Sequence, residues 1–139
     1  MEGIYIKKLK NCKSEQVISL YKEAGWWNEE DKKNKLKIKK IIKGSFLFVG
    51  AFYKKDLIGM ARVISDGLSD AYIQDVIVKK DYRNKSIGKK LIRFILGFLE
   101  KKRISWIGLI SVPESSGFYS NLGFKKLENY IPMIYKGNK

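Results

Sequence analysis

Apolar and polar positions recur along this chain with a period that switches several times, and each switch marks an element. Residues 4–9 read as a first strand. From Ser14 onward, Val17, Ile18, Leu20 and Tyr21 share one helical face until Gly25. A lysine-rich helix over 29–42 follows, with Leu36, Ile38, Ile41 and Ile42 as its sparse apolar side and Gly44 as its stop. Three apolar stretches come next, 46–52, 57–64 and 71–78. Lys54-Lys55-Asp56 and Ser65-Asp66-Gly67 separate them, both turn compositions, so the spacing predicts an antiparallel meander. After Ser86, the residues Ile87, Leu91, Ile92, Ile95, Leu96 and Leu99 return to helical spacing, with Lys89, Lys90, Arg93 and Lys101 left for the wet face. Residues 104–112 predict another strand, 115–122 a short helix ended by Gly123, and 124–126 and 133–135 final strands. Strands first, then a crossover helix into a neighbouring strand, give an α/β fold. Its mixed, mostly antiparallel central sheet would have about six to seven strands flanked by about four helices, with the Ser86 helix across one face.

Composition narrows the class. At 139 residues the chain fits one domain, 1–139, and its 45% hydrophobic content excludes disorder. No apolar run reaches the roughly 20 residues that span a bilayer, and the first 20 residues lack a signal-peptide core, so a soluble cytoplasmic protein is expected. There is no histidine, which removes Cys/His zinc sites and any histidine base, and no metal is expected. The single cysteine, Cys12, reads as a small half-buried packing residue with no chemical role. A net charge of +15 suggests attraction to a polyanion: nucleic acid, a membrane surface or a phosphorylated small molecule. The cations are almost all lysine and dispersed, and the scarcity of arginine argues against sequence-specific base reading.

The junction DVIVKKDYRNKSIGKKL, from Asp75 to Leu91, concentrates that charge where it has a use. A β-branched strand end, Val76, Ile77 and Val78, leads through a polar turn into the helix, with Ser86 as its N-cap. The free N–H groups of Ile87, Gly88, Lys89 and Lys90 would point back into the loop with the positive end of the helix dipole behind them, a site for an anion. Gly88 permits close backbone approach, and Arg83, Lys85, Lys89 and Lys90 surround the point with charge, so the segment fits a pyrophosphate. An ordinary capped surface helix with solvated lysines fits the same residues.

A second motif separates those readings. Ser116 to Phe124 holds the pair Phe118-Tyr119 and the stop Gly123-Phe124, with Phe118 and Phe124 reading as core. Together, Arg83-Asn84-Lys85-Ser86-Ile87-Gly88, Phe118-Tyr119 and Gly123-Phe124 resemble the GNAT superfamily of acetyl-CoA-dependent N-acetyltransferases, and the element order matches along nearly the whole chain. In that family the loop reads Arg or Gln, two residues, Gly, any residue, then Gly or Ala. Here Arg83 and Gly88 match while Ser86 replaces the first glycine, where a left-handed backbone would cost about 1 to 2 kcal/mol.

The resemblance implies acetyl-CoA as acyl donor, held by Arg83, Asn84, Lys85, Ser86, Ile87, Gly88 and Lys89 at its pyrophosphate, with backbone groups of Ile77 and Val78 pairing with the pantetheine arm. It implies Tyr119 as general acid toward the departing thiolate, and a phenol of ordinary pKa near 10 is protonated for that task at neutral pH. Asp75, in the strand beside the cofactor, is the first candidate for a base; pairing with Arg62 or capping a loop are its alternatives, and Asp66 and Asp70 are secondary candidates. Trp26, Trp27 and Met133 map to the acceptor pocket of the family, where an aromatic wall binds an amine by stacking or cation-π contact. The expected partner is therefore an amine acceptor, either a small molecule or a protein lysine or N-terminus, with no specific nucleic acid or membrane and a monomer or homodimer as the assembly. A CoA-binding module without catalysis and a basic nucleic-acid-binding protein are the competing classes.

Overall fold

Strand propensity peaks in the middle of the chain, and the sheet is built there. The computed structural model describes residues 2–28 and 34–137, which group into two compact units, Met1–Leu109 and Ile110–Lys139. In the first unit β1 (Ile4–Lys8), β2 (Leu47–Tyr53), β3 (Asp56–Ser65), β4 (Asp70–Val78) and β5 (Trp106–Gly108) form one five-stranded sheet in chain order. The first three pairings are antiparallel and β4 runs parallel to β5. The predicted meander is present to within a residue or two at each end.

Helices cover both faces of this sheet. On one side, α1 (Ser14–Glu23) and α2 (Asn34–Gly44) bury Val17, Leu20, Tyr21, Ile38 and Ile42 against Phe48, Phe52, Leu57, Met60 and Ile77. The first turn predicted for α2 falls on residues 29–33, outside the described residues, and Leu36 is exposed rather than part of its apolar side. On the other side, α3 (Ile87–Lys101) buries Ile87, Leu91, Ile92, Ile95 and Leu99. A Cβ added to Gly59 in β3 would stand 3.3 Å from Leu91 Cδ1 and 3.4 Å from Ile87 Cγ2, so glycine is what lets α3 approach this closely. Cys12 is half-buried against the α1/α2 cluster, and burial pushes its thiol pKa up, consistent with a packing residue.

The second unit holds a 3-10 turn, Pro113–Ser115, and the five-residue helix α4 (Ser116–Ser120). One strand expectation is cut short and two fail. The strand predicted over 104–112 is confined to β5, and among the described residues 124–126 and 133–135 form no strand, so the sheet has five strands instead of six or seven. Two of the three residues in 124–126 are lysines, and Met133, Ile134 and Tyr135 are exposed. Apolar composition alone does not make a strand, which needs a paired neighbour to satisfy its backbone.

Candidate functional site

β4 changes its behaviour halfway along. Its parallel pairing with β5 covers only Asp70, Ala71 and Tyr72, opposite Trp106, Ile107 and Gly108. On the β3 side the register jumps from Met60↔Ile77 to Arg62↔Gln74, which places Asp75 and Val76 together opposite Ala61 as a β-bulge. Asp75 takes φ +55° there, a left-handed backbone that aspartate tolerates better than most residues.

The ladder beyond the bulge fixes which backbone groups remain available. Lys79 N donates to Ile58 O at 2.8 Å, the bond that flanks a non-hydrogen-bonded pair, so Gly59↔Val78 is such a pair and Val78 turns its own N–H and C=O away from β3. Ile77 falls in the alternate position and spends its backbone groups on Met60. Of the two residues expected to offer backbone groups, Val78 faces the open side and Ile77 does not. The Val78 carbonyl accepts a bond from Arg83 Nε at 3.1 Å.

After β4, a 3-10 turn (Lys80–Tyr82) leads to the loop. Arg83 is extended, Asn84 has φ +62°, and Ser86 has φ +63° and ψ +18°. Ser86 therefore is not a side-chain N-cap as predicted: its hydroxyl makes no capping bond, and it adopts the glycine-like conformation instead. A left-handed residue running into a right-handed helix turns successive N–H groups into one concave face, an anion nest. The Ser86 carbonyl accepts from Lys90 N at 3.1 Å, which leaves the N–H groups of Ile87, Gly88 and Lys89 at the helix start, three instead of the four expected. Arg83, Lys85, Lys89 and Lys90 are exposed around them. Pyrophosphate chemistry fits this donor set: main-chain N–H groups at a helix start, the helix dipole, and exposed cations beside them in the chain.

Asp75 sits beneath the bulge in a network. Its Oδ2 accepts from Arg62 Nε at 2.6 Å and from the Tyr21 hydroxyl at 2.8 Å. Arg62 also donates to Gln74 Oε1 at 3.1 Å and to Ser45 Oγ at 3.5 Å. Of the alternatives the sequence left for Asp75, pairing with Arg62 is present. The hydroxyl of buried Tyr21 is held well above the ordinary phenol range by desolvation first and by the Asp75 charge second, so it remains a proton donor at neutral pH. Sequence reasoning missed Tyr21 and took it for one more apolar residue of α1; its hydroxyl, on an otherwise buried face, was the available signal.

The remaining expected residues distribute as follows. Asp66 caps its own turn: bonds from the backbone N–H groups of Ser69 and Leu68 hold its carboxyl down at about 2, which makes it a poor base. Trp27 is half-buried and stacks on Tyr21 at 6.0 Å between ring centroids, whereas Trp26 is exposed. In the second unit, Tyr119 packs edge-on between Phe118 at 4.9 Å and Phe124 at 5.8 Å. Phe118 is exposed and Phe124 only partly buried, so neither is core. Burial raises the Tyr119 pKa, which keeps its phenol protonated at neutral pH. Met133 is exposed. Among the described residues no helix is long and apolar enough to cross a membrane.

Comparison with known proteins places this geometry. The family model described as an acetyltransferase (GNAT) domain matches residues 9–132. An uncharacterized N-acetyltransferase, ycf52, of Pyropia yezoensis is 32% identical over 129 residues, covering 90% of this chain and 72% of that protein. Among solved structures, a GNAT family acetyltransferase from Streptococcus pneumoniae superposes with a TM-score of 0.79 at 28% identity, covering 98% of this chain and 99% of that one. A PaiA N-acetyltransferase from Thermoplasma acidophilum, solved in complex with coenzyme A, does so with a TM-score of 0.74 at 28% identity, covering 91% and 92%. The family model spans nearly the whole sequence, and the relatives and solved structures agree with it in sequence and fold: the chain belongs to the GNAT family and is an acetyltransferase.

Proposed function

We propose that this acetyltransferase moves an acetyl group from acetyl-CoA to a primary amine by direct attack in a ternary complex. The observation that carries the reading is the left-handed turn at Ser86, which leads into a helix start where the N–H groups of Ile87, Gly88 and Lys89 remain available, with Arg83, Lys85 and Lys89 exposed beside them in the chain. The cofactor pyrophosphate binds there, with Asn84 shaping the turn through its own left-handed backbone. Val78, and by strand alternation Val76, offer backbone groups to the amides of the pantetheine arm along the edge that β5 leaves unpaired. Arg83 holds the Val78 carbonyl until the arm arrives.

In the reaction the amine nitrogen forms a bond to the thioester carbonyl carbon as the carbon–sulfur bond breaks. Tyr119 gives its phenolic proton to the departing thiolate and recovers one, through water, from the nitrogen that has been acylated. A protonated phenol at neutral pH suits that exchange, and burial, which raises its pKa, favours that form. Exposed Trp26 and half-buried Trp27 are the proposed contacts for the acceptor.

A panel of amines, from arylalkylamines to lysine-containing peptides, tested for thiol release from acetyl-CoA, checks the activity. Tyr119→Phe is expected to keep acetyl-CoA affinity within about twofold and to lower kcat on the best amine by about 10² or more. Unchanged turnover across pH would remove Tyr119 from the mechanism.

A further inference from the structure

We propose that Arg62, Asp75 and Tyr21 form a positioning network that locks the β4 bulge in the shape that opens the strand to acetyl-CoA, and that Asp75 serves this network instead of acting as the base. The inference rests on the functional reading above. Three observations lead to it. Asp75 is the left-handed residue of the bulge, so its backbone sets the direction in which Val76 and Val78 leave it. Its Oδ2 already takes bonds from a guanidinium and a buried phenol, at 2.6 and 2.8 Å, so this oxygen is engaged within the fold. The guanidinium is itself fixed by Gln74 and Ser45, which extends the lock across β3, β4 and the end of α2.

Helix α1 is attached to this strand at two points. Besides Tyr21 on Asp75, Glu23 Oε1 accepts from Lys80 N at 2.6 Å just past the end of β4. The stretch between these anchors contains Val76 and Val78, the backbone proposed to meet the pantetheine arm. A helix buried against the sheet thus controls the path of the cofactor strand, and loss of one hydroxyl on α1 should be felt at the opposite edge of β4.

The alternatives differ in what each variant does. Asparagine tolerates a left-handed backbone and keeps an acceptor oxygen for Arg62 and Tyr21, whereas alanine does neither. With folding verified by circular dichroism, acetyl-CoA affinity by calorimetry is expected to stay within about threefold for Asp75→Asn and to weaken about tenfold or more for Asp75→Ala, with Tyr21→Phe weaker by about threefold. Turnover of Asp75→Asn on the best amine of the panel should follow its affinity and keep the wild-type pH profile. Should Asp75→Ala fail to fold, Tyr21→Phe decides the matter alone. Wild-type affinity in Tyr21→Phe and Asp75→Ala, or an Asp75→Asn variant that binds normally and loses turnover by about 10² or more, would overturn the proposal and make Asp75 the base. A wild-type chain that binds no acetyl-CoA would overturn the functional reading and the network's role with it.

Discussion

Ser86 shows how much a single backbone angle contributes to the site. Its φ of +63° costs a non-glycine residue about 1 kcal/mol or slightly more, and the return is the nest of N–H groups at the start of α3. Ser86→Gly should relieve that strain and raise thermal stability by up to about 1 kcal/mol, read as a small rise in Tm, with acetyl-CoA affinity unchanged or tighter. A fall in stability would mean that the serine side chain supplies something the backbone argument omits. The positions of Arg83, Lys85, Gly88 and Lys89 were legible in the sequence because charge, a missing Cβ and a helix start are properties of residue types. The conformation of Ser86 was legible only as one of two options, since serine is compatible with both. Asp75 was less legible still: its partner depends on the bulge register and on the approach of α1, which brings in a tyrosine 54 positions away.

At the scale of elements, α3 is both the wall of the core and the source of the site's dipole. Leu91 and Ile95 are completely buried, so Leu91→Ala should cost about 2 to 5 kcal/mol, measured by denaturant unfolding, and should weaken acetyl-CoA binding through the displaced helix start. Helix α1 carries a pH signature. The folded-state pKa of Tyr21 lies above its ordinary value of 10, so the stability it contributes is complete below about pH 10 and is lost as pH rises beyond that, when the unfolded chain ionises first. Tyr21→Phe should therefore be less stable than the wild type at neutral pH, by about 1 to 2 kcal/mol, and lose less between pH 10 and 12, as followed by chemical denaturation at each pH. Identical alkaline slopes would show that the hydroxyl is not buried on Asp75. The meander and α3 were readable because turn residues and a 3.6-residue period are local signals. Residues 124–126 and 133–135 misled because neither one aromatic beside two lysines nor a three-residue apolar run makes a strand without a paired neighbour.

For the whole molecule, a net charge of +15 and an acetyltransferase fold make different demands on the same surface. Lysines spread over the helices attract any polyanion weakly and fade with salt, whereas the loop at Ser86 combines charge with fixed backbone donors and should keep its preference at physiological ionic strength. The most direct test compares thermal stability with acetyl-CoA, CoA, ATP and a short DNA duplex at physiological salt. A ligand at about 100 times its Kd adds roughly 2.7 kcal/mol, which is a shift of several degrees. The expected result is stabilisation by acetyl-CoA and CoA that exceeds both ATP and DNA. No response to either CoA form, with the duplex alone stabilising, would contradict it and leave the loop as an ordinary turn on a polyanion-binding protein.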